Sequence, residues 1–345
     1  MSDTQVEYVR LGKSGLRVSV PIFGAMSIGS PKWLPWVLDE EKSIEVLKAA
    51  WDRGINTIDT ANVYSNGESE RVVAKFIEKY QIPRNEILIL SKCYFLTHKD
   101  VGVRTAALPN LKDTREYVNQ SGLSRAAIFN AVDASLQRLK TSYLDLLQIH
   151  RFDPNVPPEE IMKALHDLVQ SGKIRYIGAS SMRCWQFGLL NEVAEKNGWT
   201  KFVSMQNEYS LLYREEEREM NAYCNYHGIG LIPWAPVAGG RLARPLAEET
   251  TTRSDHSKTL GFLPEPTESD KIIVKRVQEL AEKHGKSMAQ IASAWVNAKV
   301  TSPIIGMSSE KRVEEAVGIN GFKLTEEEMK YLEEPYQPTV VRGHA

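Results

Sequence analysis

Three stretches of this chain end on side chains that can move protons. The first is Asn56-Thr57-Ile58-Asp59-Thr60-Ala61-Asn62-Val63-Tyr64, the second Leu90-Ser91-Lys92-Cys93, and the third Leu146-Leu147-Gln148-Ile149-His150-Arg151. Each starts in an apolar, β-rich segment. Together they offer a carboxylate (Asp59), a phenol (Tyr64), an ammonium (Lys92) and an imidazole (His150). Reducing a carbonyl needs a hydride on carbon and a proton on oxygen, and a tyrosine is a suitable donor of that proton. Its ordinary pKa of about 10 is far from neutrality. A nearby ammonium favours phenolate, so Lys92 is expected to lower the pKa of Tyr64, with Asp59 holding Lys92 charged and in place. His150 could orient the carbonyl oxygen or relay a proton.

These residues can meet only if the strands that carry them lie side by side and end together. Apolar runs bounded by turn or helix signals read as strands buried on both faces. Eight are expected: Val20–Gly24, Ile55–Thr60, Ile87–Cys93, Leu144–Arg151, Tyr176–Ser180, Phe202–Asn207, Gly228–Pro236 and Ser302–Gly306. Helical patterns alternate with them at Asp39–Arg53, Glu68–Tyr80, Ser124–Lys140, Pro158–Ser171, Met182–Asn197, Arg214–His227, Ser287–Ala298 and Ser309–Val317. Eight βα units predict an α/β (β/α)8 TIM barrel, one domain spanning residues 1–345, with its site at the C-terminal ends of the strands. Tyr8–Leu11 and Leu16–Val20 flank Gly12-Lys13-Ser14-Gly15 and predict an N-terminal β-hairpin plugging the barrel bottom. Lys271–His284 reads as an extra helix, and two long loops, about 94–122 and 239–269, should overhang the site.

The bulk properties exclude other classes. A formal net charge of -1 leaves no global handle for nucleic acid or an anionic membrane. Cys93, Cys184 and Cys224 are too few and too scattered for a disulfide framework or a zinc set, so no metal is expected. No apolar segment approaches bilayer-spanning length, and Met1–Glu7 has no basic region leading into an apolar run. A reducing compartment, most simply the cytoplasm, is expected.

Each reactive residue also has an ordinary reading. A strand-end aspartate often caps a loop, a tyrosine can close a turn, a lysine can be the solvated end of a strand, and a histidine can be a satisfied core residue. All four at the ends of consecutive barrel strands are harder to dismiss. At these residues the chain resembles the aldo-keto reductases, over nearly its whole length. Tyr8-Val9-Arg10-Leu11-Gly12-Lys13-Ser14-Gly15-Leu16 is similar to the family's N-terminal hairpin, and Asp59, Tyr64, Lys92 and His150 fall where the family keeps its tetrad. Asn62-Val63-Tyr64-Ser65-Asn66-Gly67, Gln148–Pro154 and Gly178-Ala179-Ser180-Ser181-Met182 are similar to fungal aryl-alcohol dehydrogenase-like and versiconal hemiacetal acetate reductase-like members.

The resemblance implies NADP(H) bound across the barrel mouth, although the chain has no Gly-x-Gly-x-x-Gly fingerprint after a first strand. It implies that Ser180, Ser181 and Gln206 hold the nicotinamide carboxamide and that Trp234 stacks on the ring. Ala235, Pro236, Val237, Ala238 and Gly240 would carry the pyrophosphate, with small residues allowing close approach. Gly24, Ala25, Met26 and Asp59 would line the same path. Gly306 and Ser308 would lead to the adenosine end, with Arg312 on the 2′-phosphate and Glu315 on the adenine. Arg244 and Arg253 could add charge from the long loop. Around the reacting carbonyl, Met26, Trp33, Trp36, Phe95 and Phe152 are expected to form an apolar, aromatic wall with no obvious fixed cation for a carboxylate, although Arg151 could serve if it turns inward. The expected activity is reversible, NADPH-dependent reduction of small aldehydes or ketones. The alternatives are an NADP(H)-binding regulatory subunit like the channel β-subunits of the family, and a Schiff-base aldolase using Lys92. Oligomeric state is not readable.

Overall fold

The computed structural model describes residues 6–246, 252 and 265–344. Two antiparallel strands, β1 (Glu7–Arg10) and β2 (Arg17–Val20), form the hairpin. Eight parallel strands follow: β3 (Ile22–Gly24), β4 (Thr57–Asp59), β5 (Leu88–Cys93), β6 (Leu144–Ile149), β7 (Ile174–Ser180), β8 (Ser204–Gln206), β9 (Gly230–Leu231) and β10 (Ile304–Gly306). They pair in the order β10-β3-β4-β5-β6-β7-β8-β9. The sheet closes on itself just beyond β9, where Thr301 N–H donates to Leu231 O and Ile304 N–H to Pro233 O, each at 2.9 Å. Around it lie α1 (Glu40–Asp52), α2 (Glu68–Lys79), α3 (Arg125–Leu139), α4 (Pro158–Gln170), α5 (Cys184–Lys196), α6 (Met220–His227), α7 (Glu268–His284), α8 (Met288–Asn297), α9 (Glu310–Val317) and α10 (Glu326–Glu333). This is the expected TIM barrel.

The two-residue period of a strand sorts side chains into an inside and an outside. Outward residues such as Ile58, Ile89, Leu147, Ile149 and Ile177 share one core with helix residues such as Leu47, Val72, Phe76, Val132 and Leu165. Each such side chain contributes about 1.5–3 kcal/mol by leaving water. Inward, the bottom layer is apolar: Ile22, Leu90, Leu146, Ile232 and Ile304 pack against Leu11 and Val18 of the hairpin. The hairpin is held there by Lys13 N–H donating to Gly228 O at 2.7 Å. Two residues farther along the same strands stand Lys92 and Gln148, so the next inward layer is polar.

Several boundaries differ from expectation. The run Gly228–Pro236 yields only the short β9, because Gly228 ends α6 in a left-handed conformation (φ 71°) and Pro233 and Pro236 lack the N–H a ladder needs. The helix expected over Arg214–His227 breaks into a 3-10 turn at Glu215–Glu217 and the shorter α6. Glu215 there accepts from Tyr336 Oη at 2.7 Å and Thr339 N at 2.9 Å, which ties the turn to the C-terminal segment. α7 begins earlier than Lys271, behind a Thr267/Asp270 capping box. α10 was not anticipated, although Thr325 and Glu328 form the same reciprocal cap.

Candidate active site

Asp59 closes β4, Lys92 lies near the end of β5, and His150 immediately follows β6. The parallel register sets these strand ends side by side: Asp59 pairs with Leu90, and Lys92 with Gln148. Lys92 Nζ donates to Asp59 Oδ1 at 2.5 Å, to Thr60 O at 2.9 Å and to Tyr64 Oη at 3.3 Å. The other carboxylate oxygen of Asp59 accepts from Gln148 Nε2 at 2.9 Å and Gln206 Nε2 at 2.8 Å. Gln206 Nε2 also donates to Gln148 Oε1 at 2.7 Å. The pair is almost fully buried, with side-chain exposures of 0% for Lys92 and 3% for Asp59. Gly178 makes room for this layer, since a Cβ there would come within 2.3 Å of Ser204 Oγ and 3.2 Å of Gln148 Cγ.

Tyr64 sits on top of the pair, with its ring edge-on to His150 at a centroid distance of 6.0 Å. Phe95 meets the other side of His150 at 4.9 Å, and Trp33 lies 6.5 Å from Tyr64. The tyrosine leads into a tight turn in which Ser65 (φ 49°) and Asn66 (φ 50°) are left-handed. Asn66 Nδ2 donates to Asp100 O at 3.0 Å and Val103 O at 2.7 Å, and Asn62 Nδ2 to Phe95 O at 2.9 Å. These amides pin the first long loop, and with it Phe95, over the mouth.

The protonation states follow from burial and charge. Burial alone would push the Lys92 ammonium down, but Asp59 and Tyr64 outweigh it and hold its pKa above the usual lysine value. Burial raises the Tyr64 pKa and, with Asp59, outweighs the lowering by Lys92. Lys92 does pull the phenol down as expected, but the net shift is upward, so the expectation of a pKa near neutrality is corrected. His150 is pushed well below the usual imidazole range, first by burial and then by Lys92 and Arg151. Its Nδ1 is buried without a hydrogen-bond partner. The ring is thus neutral at physiological pH.

Of the expected cofactor residues, Asp59 and Gln206 belong to the buried layer around Lys92, and others line a separate cleft. Ser180 Oγ donates to Gln206 O at 2.7 Å, and Trp234 Nε1 donates to Ser181 Oγ at 3.2 Å. Both N–H bonds of the Gln206 side-chain amide are engaged within the barrel, by Asp59 and Gln148. Ala25 and Asp59 are buried, whereas Met26 is 38% exposed. Ala235 (φ 59°), Ala238 (φ 49°), Gly239 (φ 66°) and Gly240 (φ 101°) give the loop after β9 a repeated left-handed twist. It runs into a cleft of about 380 Å³ whose lining includes Val237, Gly240, Arg244, Gly306, Ser308, Arg312 and Glu315. Arg312 pairs with Glu315 at 2.7 Å, so the two residues expected at the adenosine end meet each other. Arg253 lies outside the described residues.

Trp36 lines the cleft that also holds Arg312. One expected wall residue lies elsewhere. Phe152 is buried in the main core with its ring edge against Trp185, because the chain has already turned out of β6. Sequence reasoning missed Gln148, although its position two residues before His150 puts both on the inner face. It also missed the C-terminal segment, which returns to the mouth through Arg342–Glu208 (2.9 Å) and His344–Glu216 (2.8 Å). Among the described residues no cluster suited to a metal ion occurs, and no helix is long and apolar enough to cross a membrane.

The model of the aldo/keto reductase family matches residues 22–337, which takes in the whole barrel and both clefts. The chain belongs to the aldo-keto reductase family. It is 54% identical to the aldo-keto reductase dtxS3 of Metarhizium robertsii, over 100% of this chain and 95% of that one. It is 50% identical to the versiconal hemiacetal acetate reductase of Aspergillus parasiticus, over 97% and 98% of the two chains. A putative aryl-alcohol dehydrogenase of Schizosaccharomyces pombe is 51% identical over 97% of each. The reductase is therefore an oxidoreductase of small carbonyl compounds, in a family that generally uses NAD(P)H.

Proposed function

We propose that this reductase converts aromatic or apolar aldehydes and ketones to alcohols with NADPH, and that Tyr64 supplies the proton. The observation that carries this reading is the Asp59–Lys92 ion pair with the Tyr64 hydroxyl 3.3 Å above its ammonium. When bound, the nicotinamide supplies the hydride. Its amide would meet Ser180, Ser181 and Gln206, its ring Trp234, and its phosphates the Gly240 loop, Ser308 and Arg312. The cleft, its left-handed small residues and its arginines fit such a dinucleotide.

The chain's own residues do the rest. The carbonyl oxygen takes two donors, the Tyr64 hydroxyl and a His150 N–H, both held before the reaction begins. As negative charge develops on that oxygen, the Tyr64 proton crosses to it. The phenolate left behind faces Lys92, whose charge Asp59 maintains, so the cation stabilises the product state of the transfer and not the resting phenol. Reversal of the same steps oxidises an alcohol. A Schiff base at Lys92 fits poorly, since a nucleophilic amine must be neutral and this one is held protonated between Asp59 and Tyr64.

Trp33 and Phe95 beside Tyr64 and His150 favour a flat apolar substrate, at about 25 cal/mol for each Å² taken from water. A sugar would leave hydroxyls unpaired against the same rings. Three free thiols suit a reducing compartment such as the cytosol. The test is the decay of nicotinamide absorbance with a substituted benzaldehyde and with an aldose. The benzaldehyde should have the much higher kcat/KM. A ratio near one, or one favouring the aldose, overturns the aromatic reading.

A further inference from the structure

We propose that Arg151 anchors a carboxylate on the substrate, so that the preferred substrates are aromatic carbonyl compounds carrying an acid group across the ring from the reacting carbonyl. The proposal rests on the reductase reading of the Tyr64 cup and adds to it the second recognition point.

Three other partly buried arginines are matched by acids: Arg84 with Asp145 at 2.7 Å, Arg138 with Glu70 at 2.6 Å and Arg214 with Glu217 at 2.7 Å. Arg151 differs from these three. Its Nη1 donates to the His150 carbonyl oxygen at 2.5 Å, and among the described residues no carboxylate lies within ion-pairing distance. Glu208 is near enough to be felt electrostatically, but both its oxygens are occupied by Arg342, at 3.1 and 2.9 Å. The guanidinium is therefore partly desolvated with most of its N–H groups uncommitted, a costly state unless a ligand completes it.

Its position points to the substrate. The guanidinium carbon lies 5.7 Å from the centroid of Phe95, whose ring also meets His150 at 4.9 Å and Tyr94 at 5.0 Å. The cation and the imidazole that would meet the carbonyl oxygen are thus both neighbours of one aromatic ring. A benzoid substrate laid along Phe95 would place its carbonyl at Tyr64 and His150 and its acid at Arg151. The C-terminal segment passes close by at Gly343, where an added Cβ would stand 4.0 Å from Nη2. Arginine presents two parallel N–H bonds, which match a carboxylate and not an ester.

The experiment compares kcat/KM for para-carboxybenzaldehyde and its methyl ester under NADPH, two aldehydes of similar shape in which the ester has the more activated carbonyl, so intrinsic reactivity works against the expected preference. The native protein should prefer the acid by on the order of tenfold or more, the usual weight of a charged hydrogen-bonded pair. Arg151→Gln should bring the ratio to one or below, and Arg151→Lys, which keeps the charge and loses the fork, should fall between. High salt should shrink the native preference without abolishing it. If both aldehydes are reduced equally well by the native protein, the anchor is wrong and the reductase reading stands. Unchanged acid preference in Arg151→Gln likewise overturns the anchor. Reduction of neither aldehyde removes both readings together.

Discussion

Two ion pairs, one in the buried layer and one in the separate cleft, are built oppositely. Asp59–Lys92 is sealed inside the barrel, at side-chain exposures of 3% and 0%, with two glutamine amides on the remaining carboxylate oxygen. Arg312–Glu315 sits on the first turns of α9, at 43% and 18%, with its arginine open to water. The first pair has no other arrangement available, because either charge alone would be buried without compensation. The second can be exchanged, since a phosphate arriving at Arg312 replaces one anion by another at small cost. A fixed pair suits a proton-transfer centre that must not rearrange; an exchangeable pair suits a ligand that must come and go.

The sharpest break in this comparison is at the hydroxyl that the fixed pair supports. Tyr64→Phe removes one oxygen, leaves Asp59–Lys92 intact, and should cut turnover of an unactivated ketone by about 10²–10⁴-fold, the range for losing a general acid. Cofactor binding, followed by fluorescence titration, should persist. Turnover within a few-fold of native would mean that Tyr64 is not the donor.

Stability should divide the pairs next. Lys92→Met strands the Asp59 carboxylate and should cost about 3–5 kcal/mol in urea unfolding. Arg312→Ala opens a solvent-exposed pair and should cost no more than about 1 kcal/mol. Similar losses in the two variants would show that burial does not distinguish them as argued. The exchangeable pair should show itself in cofactor choice instead. Arg312→Ala should raise KM for NADPH relative to NADH by about 10–100-fold, the weight of a charge-assisted hydrogen bond. An equal rise for both cofactors would assign the discrimination to another cation in the cleft, with Arg244 the first to test.

The two sides also differed in how far the sequence revealed them. Strand periodicity and strand-end position placed Asp59, Lys92 and His150 in one cup, because inward residues of neighbouring parallel strands must share a layer. Tyr64, five residues past Asp59, followed from the short turn behind it. Gln148 was legible by the same alternation, but an amide draws less notice than a charge. The rim was less legible. Phe152 lies just beyond a strand, as Phe95 does, yet Phe152 is buried in the core while Phe95 is held beside His150, with its carbonyl on the Asn62 amide. No local pattern encodes which way a loop turns after leaving the sheet. The Glu208–Arg342 tether joins residues 134 apart in sequence and had no signal at all.

His150 tests the fixed side by titration, with the smallest effect. Its folded pKa lies well below the ordinary value of about 6.5, so between those two values the unfolded chain binds the proton and the folded chain does not. Stability therefore rises with pH through that window and falls as pH drops below about 6.5, with the full neutral-state stability present above it. The cause is first the burial of the ring and then the charges of Lys92 and Arg151, to which protonation would add a third cation. His150→Gln removes this contribution while leaving other acid-sensitive groups in place. Urea midpoints compared at about pH 7.5 and about pH 5.5 should show the native protein losing roughly 1 kcal/mol more than the variant, one pH unit of unmet protonation. Parallel losses would mean that His150 accepts its proton as readily folded as unfolded. The Lys92 charge would then not reach it, and the neutral imidazole assigned to the carbonyl oxygen would have to be replaced by an imidazolium.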